Sequence, residues 1–558
     1  MIPGLRTLDL VVMVTTLTTI IGYGLYRARG QQSTQQYLLG GKSMPWYAMA
    51  LSIMATQASA ITIISTTGQA YADGMRFVQF YFGLPLAMII ICMTAVPIFH
   101  RSGVYTAYEY LEKRFDPKTR ALVSVLFLIQ RGLGVGIALY APSIVLSVIL
   151  GWPEQYTILI MGAVAVTFTT LGGIKAVTWT DTQQMLVMTV GLISAFVTAV
   201  WLLPADVGLG GALSLASAAG KLNPVTFVFD WNDRYNFFSG LIGGMFLALA
   251  YFGCDQSQVQ RYLTGSSIAQ SRLSLLFNAV AKIPMQFFIL LTGAMVFVFY
   301  IFTPAPAMFN RAALEKAALQ PEFAAVETRY TAAVERRAET ARGYLTRRTP
   351  EAAAEFASAD RQLVVVRGQV ARLSGSKSSD TNYIFLSFVT KYLPAGLVGL
   401  VLAVIFGAAM SVISGEINSL ATVSVMDIYR RFLHGGQTDG HYLWASRLAT
   451  LFWGGYAVMT ANLGKRLETS LIEAVNVVGS LFYGGLLGVF VLAFYFPRIG
   501  ANAAFVGVLA GEAAIFACFF FTGISFLWYN VVGCLVVIAT AHLVALFSSP
   551  ASHTEPAS

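Results

Sequence analysis

Charged side chains are scarce in this sequence. Asp, Glu, Lys and Arg together make up 11% of the 558 residues, whereas 56% are hydrophobic, and the mean hydropathy is +0.66. A typical soluble domain carries a charged fraction of roughly 25%. One water-soluble core could not bury so much apolar surface, which excludes a soluble enzyme or binding domain and predicts a membrane protein.

Cysteine and histidine are also sparse, and the common catalytic motifs are missing. The five histidines have no metal-ligand spacing, and neither GxxxxGK[ST] nor HExxH occurs. We find no nucleophile–base pair, so the sequence gives no support for an ATP-driven pump, a protease or any other enzyme. The four cysteines fall within or at the edge of apolar runs and are interpreted as small buried side chains rather than a disulfide framework. They are Cys92, Cys254, Cys518 and Cys534.

Long hydrophobic runs fill most of the chain. A helix needs about 20 apolar residues to cross the bilayer core, and this criterion predicts thirteen transmembrane helices. They lie near residues 7–27, 46–72, 77–99, 121–150, 155–172, 181–203, 237–260, 273–302, 394–415, 444–463, 469–496, 501–521 and 525–547. The runs lack the period-two alternation of a membrane β-barrel. YRARG follows the first run in place of a cleavage site, which predicts a retained helix. The sequence therefore predicts an all-α, polytopic protein in the lipid bilayer.

Basic residues predict the orientation of these helices. The short loops on one side carry most of the Lys and Arg residues, including Arg27, Lys113 and Arg430, and the other side carries few, among them Lys465 and Arg466. Because cytoplasmic loops are rich in Lys and Arg, we expect the N-terminus outside and the C-terminus in the cytoplasm. The membrane is expected to be the cell membrane, as in a bacterial inner membrane. The net charge of +9 then reflects topology and predicts no nucleic-acid partner.

Residues 303–380 form a long stretch without membrane character. The stretch is rich in Ala, Glu and Arg, and its apolar residues recur at helical spacing on both sides of Gly343 and Pro350. We predict an external helical hairpin, since a loop of this length is translocated largely regardless of its charge. It could dock on the membrane part, contact a partner protein or only cover the surface, and the last two alternatives are favoured equally.

Two predicted spans break their own apolar pattern. Segment 43–74 has many Ser, Thr and Gln side chains in its middle, and segment 237–263, five spans later, has four glycines before Asp255. Polar groups inside a membrane are costly unless they line a cavity or find partners. Packing of small residues could explain either segment alone, but the pair favours two unwound helices that bind solute and ions. The glycine-rich RGLGVG (131–136) is interpreted as close helix packing.

A third span carries hydroxyl groups. In FGAAMSVISGEINSLATVSVMDIYRRF (406–432), Ser411 and Ser414 are three residues apart and lie on one face of a helix. Such hydroxyls, together with carbonyls freed by an unwound helix, suit a small hard cation. Serines in membranes also donate hydrogen bonds to their own helix or to a neighbouring helix, which is the alternative role. Asp181, at the predicted cytoplasmic start of another span, could hold a departing cation or pair with a base such as Lys175.

Five motifs in this order resemble the sodium/solute symporter family, which includes carriers of glucose, proline, iodide, sialic acid and monocarboxylates. They are GGKSMPW, VYTAYEYLEKRFDPKTR, GGIKAVTWTDTQQ, DQSQVQRYL and AAMS…NSLATVSVMDIYRR. The resemblance covers about residues 37 to 500 outside the insertion. Within the family, ATQASAITIISTTGQAY is most similar to the branch with the iodide, vitamin and monocarboxylate carriers, and most of all to uncharacterised bacterial members.

The resemblance implies an architecture with a core of ten helices, arranged as two inverted repeats of five, from about residue 46 to 496, with two broken helices. The chain then divides into an N-terminal extra helix (1–36), the first seven core helices (37–302), the external insertion (303–380), the last three core helices (381–496) and two C-terminal helices with a short tail (497–558).

The resemblance also implies a main sodium site. The family's ligands fall on the carbonyl oxygens of Ala55, Ala58 and Ala408 and on the hydroxyl of Ser411. A further hydroxyl normally follows directly, and here that position is Val412, which offers no oxygen. Sodium is expected as the coupling ion and not as a prosthetic group.

A second sodium site occurs in some members of the family. It uses an aspartate at the position of Asp181 and serines on the hydroxyl-bearing helix. Ser414 matches one of these serines, but the next position is Gly415. This chain therefore lacks one hydroxyl ligand at each of the two sites.

The family's solute site implies a further set of residues. By position these candidates are Gln57, Thr62, Tyr81, Phe82, Asp255 and Gln256. Several relatives have asparagine at the position of Asp255, and a carboxylate facing the cavity disfavours an anionic solute unless it is protonated or paired with sodium. Glu473 and Asn476 are additional candidates, because polar groups within a span are costly.

The sequence therefore predicts sodium-coupled symport of a small polar organic solute into the cell by alternating access. Because Val412 and Gly415 replace expected hydroxyls, three alternatives stay open: proton coupling through Asp181 or Glu416, uncoupled movement, and a solute-sensing receptor. A channel would need rings of charged or carbonyl-lined pore residues, which the sequence does not contain.

Overall fold

The computed structural model describes residues 6–29, 33–375, 380–462 and 470–547. Throughout these ranges the secondary structure is helical, without β-strands, apart from one isolated bridge between Met44 and Gly265. The predicted all-α class is confirmed.

Parts of four sequence predictions lie outside the described residues. They concern residues 1–5 and 30–32 of the N-terminal segment, 376–379 of the insertion, Lys465 and Arg466 of the orientation argument, and the C-terminal tail 548–558.

The chain up to residue 302 forms helices α1 to α13. They are α1 (Thr7–Arg27), α2 (Thr34–Leu39), α3 (Trp46–Gln57), α4 (Thr67–Asp73), α5 (Leu84–Met93), α6 (Ala95–Ser102), α7 (Ala107–Arg114), α8 (Pro117–Leu150), α9 (Glu154–Trp201), α10 (Gly208–Ala218), α11 (Gly244–Gly253), α12 (Gln256–Leu263) and α13 (Ile268–Phe302). Shorter 3₁₀ or π-helical turns connect some of them, at Gly40–Lys42, Thr62–Thr66, Gly74–Tyr81 and Ser239–Gly243.

The first broken span consists of α3 and α4. α3 ends at Gln57, and the backbone of Ala58 is not helical (φ −94°, ψ 55°) before the chain re-enters helical conformation at Thr62–Thr66. The last carbonyl groups of a helix have no partner within it. The break therefore frees backbone oxygens inside the protein.

The second broken span consists of α11 and α12. Its break lies at Cys254 and Asp255, where Asp255 has extended backbone angles (φ −78°, ψ 119°). The Asp255 carboxylate accepts a hydrogen bond of 2.8 Å from the backbone N–H of Ser257 and so caps α12. Aspartate is a preferred residue at this position of a helix. The aspartate thus starts the second half of the span.

A backbone contact ties the two broken spans together. The N–H of Met44, two residues before α3, donates to the carbonyl oxygen of Thr264, directly after α12, at 3.1 Å. The start of one broken span is therefore attached to the end of the other.

α9 joins two spans that the sequence predicts as separate, 155–172 and 181–203. Its 48 residues are interrupted only at Gly173, whose backbone angles (φ 54°, ψ −167°) suit glycine because it has no Cβ. Asp181 therefore lies inside a helix, where it is fully buried, and not at the start of a separate span.

Nine helical stretches within the described residues are long and apolar enough to cross a membrane. The sequence predicts thirteen spans. The two numbers differ where a predicted span consists of short pieces, such as the 12-residue α3, and where two predicted spans are joined directly across a backbone break, as at Gly173 in α9. The count of thirteen and the inverted repeat stay predictions.

The chain after the insertion forms further helices, several of which pack against α8 or α9. These helices are numbered α17 (Thr381–Tyr392), α18 (Leu397–Val423), α19 (Asp439–Ala461), α20 (Leu471–Tyr495), α21 (Ala501–Phe521) and α22 (Phe526–Phe547), with a π-helical continuation of α18 at Ser424–Leu433. Large apolar side chains on the outer helices, such as Leu171, Phe520 and Leu543, are more than half exposed. Such a surface fits contact with lipid rather than water.

The insertion contains three further helices and docks on the membrane part. They are α14 (Arg311–Ala318), α15 (Phe323–Arg347) and α16 (Pro350–Leu373), of which α15 and α16 pack as a hairpin. Arg337 of α15 is buried and donates to the carbonyl oxygen of Tyr300 in α13 at 2.5 Å. Within the insertion, Tyr330 donates to the carbonyl oxygen of Ala305 at 2.9 Å. In the structure the insertion therefore docks on the membrane part. The sequence analysis favoured this alternative less than the other two.

Candidate functional site

The two broken spans border on a common buried cavity. It has a volume of about 120 Å³ and is also lined by α8, α18 and α20. A single water molecule needs about 10–15 Å³, so the cavity has room for a small molecule. Its wall combines polar side chains, such as those of Gln57, Gln130 and Asn476, with the rings of Tyr81 and Tyr251.

Gln57 and Thr62 reach this cavity because the first broken span opens between them. The Thr62 hydroxyl donates to the carbonyl oxygen of Gln57 at 2.6 Å, which satisfies an oxygen at the end of α3. The side-chain amide of Gln57 is buried and has no hydrogen-bond partner in the described structure. A buried amide without hydrogen bonds costs free energy unless a ligand or a water molecule binds to it. Gln57 is therefore well suited to bind a polar group of a solute.

Tyr81 also lines the cavity, whereas its neighbour Phe82 does not. The Tyr81 ring is held by Phe80, with ring centroids 4.9 Å apart. Phe82 instead packs edge-to-face against Phe237, with ring centroids 6.2 Å apart. Adjacent residues in a helical turn point in different directions, which explains why only one of the pair reaches the cavity.

Gln256 lies away from the cavity and joins α12 to α7. Its side-chain oxygen accepts from the N–H of Ala107 at 2.9 Å, and its side-chain nitrogen donates to the carbonyl oxygen of Tyr105 at 3.0 Å. Both ends of the amide are thus used within the protein, which is a structural role.

Asp255 does not line the cavity but belongs to a buried charge network beside it. The carboxylate forms an ion pair with Arg131 of α8 and accepts from the Tyr483 hydroxyl at 2.8 Å. Arg131 also donates to Glu416 of α18 at 2.9 Å and to Tyr483 of α20 at 2.8 Å. Four helical elements are joined in this way. The Asp255 carboxylate that the sequence placed in the cavity as a lone negative charge is therefore paired.

Arg131 is a residue that sequence reasoning missed. It opens the RGLGVG stretch, which was interpreted only as close packing, yet its side chain is buried and lines the cavity. Gly134 of the same stretch lines the cavity as well. The signal was present, since a single arginine inside an apolar run is costly and needs a partner.

Lys282 is a second missed residue, in the middle of α13. It is fully buried and has no hydrogen-bond partner in the described structure, and its ammonium nitrogen lies 5.1 Å from the centre of the Tyr81 ring. Tyr81 lines the cavity, whereas Lys282 does not. A buried amine therefore lies against one of the rings that line the cavity.

The candidate ligands of the main sodium site lie on α3, at its break and on α18. The Ser411 hydroxyl is buried and without a partner in the described residues. α18, which carries Ser411 and Ala408, packs against α3, and α3 ends just after Ala55. Ala58 lies at the break itself. Free carbonyl and hydroxyl oxygens at a broken helix are what sodium needs. Val412 contributes to the cavity wall instead.

The candidates of the second ion site have a different environment. Asp181 is fully buried and pairs with Arg261 of α12 at 2.8 Å, not with Lys175. Ser52 of α3 donates to the same Asp181 oxygen at 2.5 Å and accepts from Arg261 at 2.8 Å. The Ser414 hydroxyl is buried without a partner in the described part of the chain.

Glu473 and Asn476 have separate surroundings although they lie one turn apart on α20. Asn476 lines the cavity. Glu473 accepts from Arg234 at 2.5 Å and from the Tyr235 hydroxyl at 3.3 Å, in the segment that precedes the second broken span. Glu473 thus fastens α20 to that segment.

Comparison with known proteins identifies the family. The model of the sodium:solute symporter family matches residues 37–328 and 359–511, which is most of the chain. Sodium-coupled monocarboxylate transporter 1 of Xenopus laevis is 27% identical over 502 residues, which cover 90% of this chain and 70% of the relative. The sodium/sialic acid symporter NanT of Aliivibrio fischeri is 26% identical, covering 97% of this chain and 93% of the relative. The sodium/glucose cotransporter of Vibrio parahaemolyticus is also 26% identical, covering 97% and 91%.

A solved structure shares the fold. The outward-open state of a Na⁺-coupled sialic acid symporter superimposes with a TM-score of 0.76 at 23% identity, covering 98% of this chain and 99% of that one. The relatives are sodium-coupled transporters and not enzymes. The multi-pass helical fold, the ordered motifs and the family match lead to one conclusion: this chain belongs to the sodium:solute symporter family.

Proposed function

We propose that this protein moves a small polar organic solute into the cell together with sodium, by alternating access. The observation that carries the proposal is the cavity between the two broken spans, beside which Ser411 offers a buried hydroxyl without a partner. Solute and ion would then bind next to each other, as symport requires. Members of the family carry small solutes, in agreement with this proposal.

Gln57, Thr62 and Tyr81 are the proposed solute ligands, together with Asn476 of α20, which lines the same cavity. Gln57 and Asn476 offer amide groups, and Tyr81 offers a ring that can cover an apolar part of the solute. The charges of Arg131, Asp255 and Glu416 bind one another, so the solute need not bring a full charge of its own. Phe82 and Gln256 are not included, because they contact other parts of the protein.

Sodium is the proposed coupling ion, bound by the carbonyl oxygens of Ala55, Ala58 and Ala408 and the hydroxyl of Ser411. The bound ion would hold α18 against the broken end of α3. Release of the ion would loosen this contact and allow the broken spans to move. At Val412 water takes the place of the missing hydroxyl. The family and its curated members support sodium as the ion.

The proposed architecture retains thirteen spans, an inverted repeat of five and five helices, and the domain boundaries derived from the sequence. The N-terminus is proposed to lie outside and the C-terminus in the cytoplasm of a bacterial inner membrane. Arg114 and Lys118, two basic residues of the predicted cytoplasmic side, bond to residues 496–499 and 502 and so lie at the same end of the bundle as these residues. The insertion docks at the C-terminal end of α13, where Arg337 bonds to the carbonyl oxygen of Tyr300.

The test is sodium-dependent stability of the purified protein. Melting temperature is measured in sodium against choline at fixed ionic strength. A ligand that binds only the folded state at 100 times its Kd adds about 2.7 kcal/mol of stability. We expect sodium to stabilise the wild type, and Ser411→Ala to abolish the effect.

Val412→Ser is the matched variant, because it restores the expected hydroxyl. We expect it to lower the sodium concentration needed for half of the effect. If the wild type melts at the same temperature in both salts, sodium coupling is wrong. A response that appears only in Val412→Ser would mean that the wild-type site has lost its ion.

A further inference from the structure

We propose that the transported solute carries a protonated amine and that Glu416 of α18 binds this amine in the cavity. The inference rests on the proposed function and deepens it, because it names the class of solute. It depends on the charges of Glu416 and of its neighbours Arg131 and Asp255.

These three side chains hold one more negative charge than positive charge. Arg131 pairs with both carboxylates, and among the described residues no other Lys or Arg forms an ion pair with either of them. Lys282 packs against the ring of Tyr81 instead. The ion pairs alone do not require a charged solute, but they leave one carboxylate charge uncompensated. Because all three side chains are at most 5% exposed, this excess charge is costly. A cation in the cavity would remove the cost.

The excess charge faces acceptors that lack a donor. Oε1 of Glu416 accepts from Arg131 at 2.9 Å, whereas Oε2 has no hydrogen-bond partner in the described structure. Glu416 lines the cavity, and two further lining residues, Gln57 and Gln130, each have an Oε1 atom without a partner among the described residues. A protonated primary amine has three N–H donors and no acceptor. It therefore supplies the groups that this part of the wall lacks.

Aromatic rings complete the surroundings of the charge. Tyr251 and Tyr483 both line the cavity, and their ring centroids are 6.1 Å apart. The Arg131 guanidinium lies 5.6 Å from the centroid of Tyr251, and the Tyr483 hydroxyl donates to Asp255 at 2.8 Å. The face of such a ring attracts an organic ammonium group. It offers no oxygen ligand to a metal ion, so an amine suits this wall better.

The charge excess is a property of this chain. Arg131 and Glu416 lie outside the five motifs that resemble the family, and Asp255 stands where several relatives have asparagine. A cavity with an excess of negative charge disfavours an anion. We therefore expect a solute whose charge is opposite to that of the monocarboxylate named for the Xenopus laevis relative.

The experiment measures the melting temperature of the purified protein in sodium with small probe solutes, with potassium chloride holding the ionic strength constant. The probes are ethanolamine and propanolamine, the matched diols ethylene glycol and propanediol, and the matched hydroxy acids glycolate and lactate. We expect the two amines to raise the melting temperature as their concentration rises, because a ligand that binds only the folded state stabilises it. The diols and the hydroxy acids lack the positive charge and should have no such effect.

Glu416→Gln is the decisive variant, because it keeps the shape of the side chain and removes the excess charge. We expect the amine concentration needed for half of the effect to rise by about tenfold or more, as a hydrogen bond to a charged group is lost. The sodium response should remain, since Ser411 is intact. Glu473→Gln is the matched control, because Glu473 is a buried carboxylate that pairs with Arg234 and does not line the cavity. It should respond to the amines like the wild type.

Asp255→Asn is the second variant, for use if Glu416→Gln does not fold. It removes the excess charge from the other carboxylate, and asparagine caps a helix about as well as aspartate. We expect it to weaken the amine effect in the same direction.

The outcomes separate this inference from the proposed function. Amines that stabilise no more than their diols would overturn the inference, and so would stabilisation by glycolate or lactate. An amine effect that persists unchanged in Glu416→Gln, or one that falls equally in Glu473→Gln, would overturn it too. In each of these cases a sodium effect that Ser411→Ala abolishes leaves symport standing. A protein that responds to neither sodium nor amines would overturn both.

Discussion

Buried arginines in this protein meet carboxylates on other helical elements. Arg131 pairs with Asp255 and Glu416, and Arg261 pairs with Asp181. Removing one member of a buried ion pair leaves the other charge without compensation, which costs more than the pair itself contributes. Single substitutions at these positions therefore report on the pairing directly.

Arg131→Met is expected to destabilise the protein strongly, by about 3–5 kcal/mol, because it leaves two buried carboxylates facing each other. The measurement is thermal unfolding in detergent. Glu416→Gln in the same chain removes one of these charges and should recover part of the loss. An Arg131→Met protein that melts like the wild type would contradict the pairing.

The sequence predicts some of these buried polar positions and not others. Ser411 and Gln57 could be predicted, since a polar side chain inside an apolar span is visible in the sequence itself. The partner of Asp255 could not, because Arg131 lies 124 residues away and the pairing depends on how α8 and α12 pack. Sequence shows the cost of a buried charge but not what compensates it.

At the scale of helices, the breaks in the two broken spans were predictable, whereas the short connection inside α9 was not. Glycines and hydroxyl residues mark the breaks. In α9 the helical backbone breaks at Gly173, between the predicted spans 155–172 and 181–203, and no loop follows. The helix after this break therefore begins before Asp181, because a single glycine with a positive φ takes the place of a loop.

Helix α7 is fastened to its neighbours through Glu112. This carboxylate accepts from Arg120 of α8 at 2.7 Å and from Arg431 of the π-helical continuation of α18 at 2.6 Å. Burial raises the pKa of Glu112, but the hydrogen bonds from the two arginines outweigh it, so that its pKa lies below the usual value of 4.5. The ionised form is therefore the form that the fold stabilises.

The lowered pKa predicts a pH dependence. Stability from Glu112 is fully present above the unfolded-state pKa near 4.5 and is lost as the pH falls through the lower folded-state pKa. Glu112→Gln should lower stability at neutral pH by about 1 kcal/mol and flatten the decline below pH 4.5. Melting temperature against pH measures both effects.

Glu315→Gln is the control for this prediction. Glu315 pairs with Arg311 at the surface, with 67% of its side chain exposed, and such pairs contribute little. If Glu112→Gln and Glu315→Gln give the same pH profile, the role assigned to Glu112 is wrong.

At the scale of the whole molecule, the insertion is a hairpin attached to the membrane part by few polar contacts. Arg337 is central among them, because it is buried and bonds to the backbone of α13. The sequence could predict the helices of the insertion from their periodicity. It could not predict the docking, because nothing in the sequence distinguishes the buried Arg337 from an arginine that faces solvent. Its partner is a backbone carbonyl, which every residue has.

Arg337→Leu is expected to loosen the hairpin while the rest of the fold remains. A hydrogen bond to a charged group contributes about 1.5–3 kcal/mol, so amide exchange in α15 should accelerate by about tenfold or more. Hydrogen–deuterium exchange with peptide resolution is the measurement. Arg336→Leu removes the neighbouring exposed arginine and should leave the exchange unchanged. Equal protection in the two variants would mean that Arg337 does not anchor the hairpin.

The backbone contact between Met44 and Thr264 has a mechanical consequence. It connects the start of the first broken span to the end of the second, so that the two spans are expected to move together as one rigid unit. A covalent cross-link between these two points should leave transport intact. A cross-link between the broken spans and the helices around them should stop it.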